Sequence, residues 1–535
     1  MHAALHVADI LFEIFKFLSL GELTAVARVC RPFAGPACTA LWTNAIPLVT
    51  LLRLLPADLI SCLNTVRVNR PMVSCDWDRL LPASNRIQHI QFIESPISSG
   101  WSSVFETLAS DRSQLYLFPN LRALDWHVKT SSNTMGCILF LSERMFRLSI
   151  SFPDFDSDDR QCQYYVSKAF RHLEARQLRY LSLDIWAPPE GVQDPMDPYM
   201  AQGTADFLET LPNLEIAILA RKFISPPIVE SLSRLPSLHT LRIKGRLFTN
   251  SLGDLKQLGP HAFATLQSLE LTSTPPTCER LMYSISSRAL SEIKLVVHGN
   301  VAVQVHDCIL AISATCPHLH TLHISPDAGY YAFIESDQKL LDGYHNPERT
   351  ARRIDPGRLS TATFEPLLQC RELRALIVDW PYPLKILEGA FSRMVESWPL
   401  LETLYLTPSP FFVLPERPAI SLVDLVPFAR SLCLRKLALF IDARAELPEQ
   451  DLLSIELDLR VHPQPTRSAS LLAQTRSRSQ PIHFDPGKSW ISDPVHAARV
   501  LARLFGSATL PRWVKKDSLW WKVGKLLDVP SAKRL

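Results

Sequence analysis

Side chains that can hold a metal gather most densely at Cys316, His318, His320 and His323. Thiolates and imidazoles are the usual zinc donors, and a tetrahedral site needs them to converge. These four fall on a predicted turn and strand, where alternation sets His318 and His320 on opposite sides of Leu319. No metal site is expected there. Other chemistry leaves even less trace. The chain has no glycine-rich phosphate loop, no G-x-S-x-G elbow and no paired carboxylates in a recognisable frame, and only 17 of its 535 residues are Gly. Its eleven cysteines form no C-x-x-C pair and are odd in number, which argues against a disulfide framework and a zinc ribbon. The chain is expected to bind rather than catalyse, and to need no cofactor.

Charge points the same way. Lys and Arg number 56 against 53 Asp and Glu, so neither nucleic acid nor a membrane is expected as the main partner. The first apolar stretch is interrupted by Asp9 and Glu13, which does not suit a secretory signal, and apolar runs such as 46–52 are far too short to span a bilayer. A reducing compartment is expected: cytosol, nucleus or both.

The elements that carry the chain's side chains repeat. L-x-x-L-x-L recurs at Leu121/Leu124/Trp126, Leu178/Leu181/Leu183, Leu238/Leu241/Ile243 and Leu266/Leu269/Leu271. It continues at Leu290/Ile293/Leu295, Leu319/Leu322/Ile324, Leu373/Leu376/Val378, Leu401/Leu404/Leu406 and Leu434/Leu437/Leu439. Ile87/Ile90/Phe92, Met145/Leu148/Ile150 and Leu214/Ala217/Leu219 are degenerate copies. Successive starts lie 24 to 36 residues apart, except for 54 between Leu319 and Leu373. Such a bounded period is the mark of a solenoid. The last two apolar positions of each copy should point inward from a short strand, and the residue between them outward. Phe118-Pro119, Leu211-Pro212, Leu235-Pro236, Cys316-Pro317 and Trp398-Pro399 precede the corners, where proline should close the preceding helix. Helical spacing is visible in Phe391, Met394, Val395 and Trp398, and in Val166, Ala169, Phe170 and Leu173.

Ahead of the repeats, Ile10, Leu11, Ile14, Phe15 and Leu18 stand at helical spacing, with Asp9 as the expected N-terminal cap. Ser19-Leu20-Gly21 breaks the pattern. A second face follows in Leu23, Val26, Ala27 and Cys30, Pro32 should end it, and a third segment runs through Ala37 and Ala40 to Trp42. From Asp9 through Val29-Cys30-Arg31 to Leu41-Trp42, this series resembles an F-box. His6-Val7-Ala8 stands where that family usually has Leu-Pro. The later repeats resemble the divergent leucine-rich repeats that follow F-boxes in fungal proteins.

The resemblance implies an α/β chain: an F-box at 1–50, a linker or first repeat at 51–84, and a leucine-rich-repeat horseshoe at 85–462. An insertion near 327–357 carries Tyr330, Tyr331, Phe333, Arg352 and Arg353. A flexible polar loop at 463–481 and a helical cap at 482–535 complete it, the cap including Trp513, Trp520, Trp521 and Leu526. It also implies a Skp-type adaptor and, through it, a cullin as partners, with Ile10, Leu11, Ile14, Phe15, Leu18, Leu23, Val26 and Trp42 forming the core and adaptor-facing surfaces of the F-box. A protein substrate would lie on the concave strand face. The outward register places Asp125, His127, Asp184, Arg242, Lys244, Glu270, Lys294, His323 and Tyr405 there. The implied function is substrate receptor of a ubiquitin ligase; a repeat scaffold whose F-box no longer serves a ligase is the alternative.

Overall fold

The computed structural model describes residues 7–62, 65–95, 100–110, 117–153, 176–185, 198–247, 258–298, 302–327, 358–410, 418–444, 481–505, 508–511, 514 and 518–528. The expected insertion lies outside these residues but for Asp327, and the polar loop but for Pro481. Trp513, Lys515, Lys516 and the helix read through Val166 and Leu173 also lie outside them. The chain forms two compact units, one reaching to Lys244 and the other continuing from Gly245.

The first unit opens on three helices, α1 (Ala8–Phe15), α2 (Leu20–Val26) and α3 (Arg31–Thr43). Asp9 does not cap α1. Val7 holds that position without a side-chain bond, and Asp9 sits in the first turn, where its charge favours the helix dipole. The break at Ser19 is a start signal. Its hydroxyl accepts from the Glu22 N–H while the Glu22 carboxylate accepts from the Ser19 N–H at 2.7 Å, a reciprocal capping box. Pro32 does not end the second helix, which stops at Val26; it stands in the first turn of α3, where a missing N–H costs nothing.

The stretch read as a linker or first repeat follows, with the residues just before it. It holds β1 (Ile46–Pro47), α4 (Leu48–Leu52), an antiparallel hairpin of β2 (Ile60–Cys62) with β3 (Val66–Val68), and α5 (Ser74–Ser84). Arg70 fastens it, reaching both oxygens of buried Asp76 and, at 2.7 Å, Asp58. Its hydrogen bonds hold the Asp76 carboxyl down at about 2.

The repeats follow as β4 (His89–Ile93), β5 (Ala123–His127), β6 (Arg147–Phe152), β7 (Tyr180–Ile185), β8 (Ile216–Ala220) and β9 (Thr240–Leu247). They pair in parallel and in chain order, with β1 on the edge beside β4. The register repeats the sequence motif: Ile90 faces Leu124, then Leu148, Leu181, Ala217 and Leu241 in turn. Between sheet and helix, α6 (Trp101–Ser110) seats Trp101 and Phe105 against Phe92 and Trp126. Gly136 is required there, since a Cβ would come within 2.8 Å of the Trp126 ring.

The second unit repeats the plan in β10 (Ser268–Ser273), β11 (Glu292–Val297), β12 (Thr321–Pro326), β13 (Ala375–Val378), β14 (Thr403–Leu406) and β15 (Lys436–Leu439). A small pair, β16 (Asp442–Ala443) with β18 (Trp490–Ile491), stands apart, while β17 (Ile482–Asp485) and β19 (Ala508–Thr509) continue the parallel sheet after β15. Leu269, Ile293, Leu322, Leu376, Leu404, Leu437 and Phe484 form one inward row, and each is buried.

The corner prolines do more than close helices. In Phe118-Pro119-Asn120-Leu121, Leu211-Pro212-Asn213-Leu214, Cys316-Pro317-His318-Leu319 and Trp398-Pro399-Leu400-Leu401, the leucine N–H donates to the carbonyl three residues back. Proline is therefore the second residue of a β-turn, where its fixed φ fits. Behind the sheets, the helices Pro226–Arg234 and Pro275–Ser284 begin with proline in the first turn, and Ala390–Ser397 buries Phe391 and Met394. Past β18, the helix Pro494–Phe505 buries Ala498, Val500, Leu501 and Leu504, whereas Val495 is exposed. The helix Leu519–Leu527 packs on it, with the Trp520 indole N–H donating to the Ser489 carbonyl at 3.0 Å.

Candidate docking faces

The three N-terminal helices enclose a small core of Leu11, Phe15, Leu23, Ala37 and Ala40, with Phe15 and Phe33 meeting edge to face at 5.7 Å. Leu18, Val26 and Leu41 are partly buried against it. The residues named from sequence therefore separate into two sets. Leu11 is 1% exposed and belongs to the core; Ile10 is 42% and Ile14 47% exposed. One turn apart on α1, Ile10 and Ile14 form an apolar stripe beside the inward Leu11/Phe15 pair. Trp42 is half-buried at the end of α3, and its carbonyl accepts from the Gln88 N–H at 3.1 Å. That bond ties the helices to the first repeat. The sequence reading missed Phe17, 89% exposed in the turn after α1, and Leu20 and Val29, which are also exposed. Phe17 lies outside the helix period, so periodicity could not find it; an aromatic residue between two helical segments was the available signal.

On the strand face of the first unit, the polar side chains answer one another. Asp125 is only 8% exposed: His89 Nε2 lies 2.8 Å from one carboxylate oxygen, and Arg147 Nε stands 3.5 Å from the other, close enough for an ion pair but not a hydrogen bond. Burial pushes this carboxyl up, but the His89 bond and the His89 and Arg147 charges outweigh it and hold it below the ordinary range. The Arg147 guanidinium also lies 4.2 Å over the Tyr180 ring. Further along, Lys244 reaches Asp184 at 2.6 Å, and His127 is held below its usual value chiefly by burial. Arg242 is exposed.

In the second unit, Glu270, Lys294, His323 and Tyr405 occupy one outward row, with Ile377 between His323 and Tyr405, and Ala438 between Tyr405 and Asp485. Lys294 and Glu270 pair at 2.6 Å. His323 is half-buried and its pKa is lowered, first by burial and then by Lys294. Burial drives the Tyr405 phenol up to about 12, with the nearby charges of Asp379 and Asp485 adding to it. Both carboxyls are themselves raised by burial, against the opposing charges of His323 and His483 respectively. Asp485 is fixed by its own turn: its carboxylate accepts from the Gly487 N–H at 2.9 Å, and Gly487 has φ 52°, where a Cβ would strike the Pro408 carbonyl.

The Cys316/His318/His320/His323 group does not assemble, but for a different reason from the one alternation suggested. His318 and His320 precede β12 and are not held to strand alternation; both turn to Glu372, at 3.0 and 3.3 Å. Cys316 is buried, and His323 lies on the strand face. Among the described residues, no group of His, Cys, Asp and Glu side chains is placed to hold a metal ion. No described helix is long and apolar enough to cross a membrane.

Comparison with known proteins locates one of these regions. No curated protein matches the chain. Among solved structures, similarity is found to a Bacteroides fragilis protein, 13% identical over 60% of this chain and 75% of that one, with a TM-score of 0.25. The structure of a TLR13–ssRNA13 complex is 12% identical over 72% of this chain and 58% of that one, again with a TM-score of 0.25. Likenesses this weak bear neither on fold nor on function. Residues 8–46, spanning α1 to α3 and the first residue of β1, match the family model described as F-box-like, so the exposed stripe of Ile10 and Ile14 belongs to an F-box-like domain.

Proposed function

We propose that the chain is the substrate-receptor subunit of a Skp–cullin–F-box ubiquitin ligase, working in the cytosol, the nucleus or both. The observation that carries this reading is the apolar surface left open on the F-box-like helices: Ile10, Ile14, Phe17, Leu20 and Val29 are all exposed around a core that is already closed. An exposed apolar group of this kind marks a docking surface, and F-box domains in general dock on Skp-type adaptors. The repeats would be those of a leucine-rich horseshoe, with the substrate on their concave strand face and the helix Leu519–Leu527 as a cap on the last of them. The chain itself would catalyse nothing; ubiquitin transfer belongs to the assembly it joins.

One feature favours the alternative of a scaffold without ligase function. The first turn of α1 has neither a capping side chain nor the family's usual proline, which loosens the element carrying Ile10 and Ile14. Co-purification with a Skp-type adaptor and cullin separates the two readings. A receptor brings both down in stoichiometric amount, whereas a scaffold brings down neither.

A further inference from the structure

Several acidic side chains on the strand faces and corners are met by a basic side chain of this chain. Asp125 has His89 and Arg147, Asp184 has Lys244, and Glu270 has Lys294. At the corners, Glu372 has His318 and His320, and Glu402 has Arg435. Asp379 and Asp485 differ from these. Neither makes an ion pair with any described residue, and among the described residues no side chain donates a hydrogen bond to Asp379. Both are partly buried; Asp379 directly follows β13, and Asp485 stands in the outward row on β17.

What lies around them is shaped for a cation. Tyr405 stands between the two strands on β14, close enough that both carboxylates act on its phenol. Ile377 and Ala438 flank it in the same row and give an apolar floor. His323 acts on Asp379 and His483 on Asp485; His483 Nδ1 already lies 3.4 Å from the Thr509 hydroxyl, and exposed Lys436 stands opposite His483 on β15. Carboxylates on both sides of an aromatic ring are the complement of an ammonium or guanidinium, which gains ion pairs and a ring face together. Leaving two carboxylates half-buried is costly, and no cation among the described residues pairs with either of them.

We propose that the strand face at Asp379, Tyr405 and Asp485 receives a lysine- or arginine-bearing segment of a protein partner. This rests on the reading that a partner is held on the strand face, and it names that partner's chemistry.

Fluorescence anisotropy on the full chain with labelled octalysine and octaglutamate peptides tests it. Octalysine should bind and weaken with added salt, and octaglutamate should not bind. Asp379→Asn with Asp485→Asn should weaken octalysine at least about tenfold, while Asp184→Asn on the other unit leaves it unchanged. Tyr405→Phe, which keeps the ring, should bind like the parent chain, and Tyr405→Ala should bind less. Octalysine affinity indifferent to the paired substitution, or lost equally in Asp184→Asn, overturns the proposal. Should the paired variant fail to fold, the Tyr405 variants decide by themselves. Adaptor co-purification is the separate readout: its loss with octalysine binding intact overturns the ligase reading alone.

Discussion

The repeats and the N-terminal helices use the same apolar residues in opposite ways. Along the strands, Leu124, Leu148, Leu181 and Leu241 are all but inaccessible, and each stands beside its counterpart in a neighbouring repeat. On α1, Leu11 and Phe15 are equally hidden, yet Ile10 and Ile14 beside them face solvent. A repeat covers each unit's core with the next unit. The three short helices close a small core and leave apolar side chains beyond it exposed. Spacing reports where apolar residues are; only packing reports whether the chain itself covers them.

The largest effect expected from this contrast is in the strands. Leu241→Asp sets a carboxylate inside the sheet's core and should cost several kcal/mol, on the order of 3–5. Arg242→Asp, next to it on the exposed side, should change urea midpoints little. If the two variants ranked the other way, the strand register would be wrong.

A somewhat smaller loss is expected at the end of the second unit. Trp520 is buried against Phe484 and hydrogen-bonded to the Ser489 carbonyl. Trp520→Ala should cost about 3 kcal/mol. Trp521, half-exposed with the Lys525 ammonium 5.6 Å from its ring, should tolerate alanine within about 1 kcal/mol. Equal melts for Trp520→Ala and the parent chain would show that the helix Leu519–Leu527 covers nothing the fold needs.

The smallest effect has a definite sign. Burial raises the Asp379 and Asp485 carboxyls in the folded protein, so the folded chain keeps these protons at a pH where the unfolded chain has released them. Their destabilisation is complete above the folded pKa values and fades as pH falls to about 4, the unfolded value. Replacing both with Asn should therefore stabilise the chain slightly at pH 7, with the gain shrinking as the pH is lowered. A gain that grows toward low pH would contradict the placement of these two residues.

Much of the fold could be read in the sequence because the motif and the sheet share one register: each L-x-x-L-x-L copy lies at a strand, and its inner leucines meet across strands. The outward residues could be placed on a face in the same way. Their partners could not. His89 lies 36 residues from Asp125 and Lys244 lies 60 from Asp184, so which acids are neutralised depends on neighbouring strands rather than on spacing. Asp379 escaped notice because it follows the last inward position of its copy, and Asp485 because β17 carries no L-x-x-L-x-L. Short-range readings failed where a residue had two possible roles, as with Pro32, which opens a helix instead of ending one, and Ser19, which caps instead of breaking.

The docking of an adaptor on α1 is the point on which the functional account turns. Calorimetric titration of a Skp-type adaptor into the full chain, and into a chain carrying Ile14→Asp and Phe17→Asp, measures it directly. Both side chains are exposed, at 47% and 89%, so the thermal melt of the variant should match the parent. Truncating a hot-spot side chain costs at least about 2 kcal/mol of binding, so the account predicts an affinity lower by about thirtyfold or more. Adaptor binding of the same strength to both chains, with both folded, would contradict it.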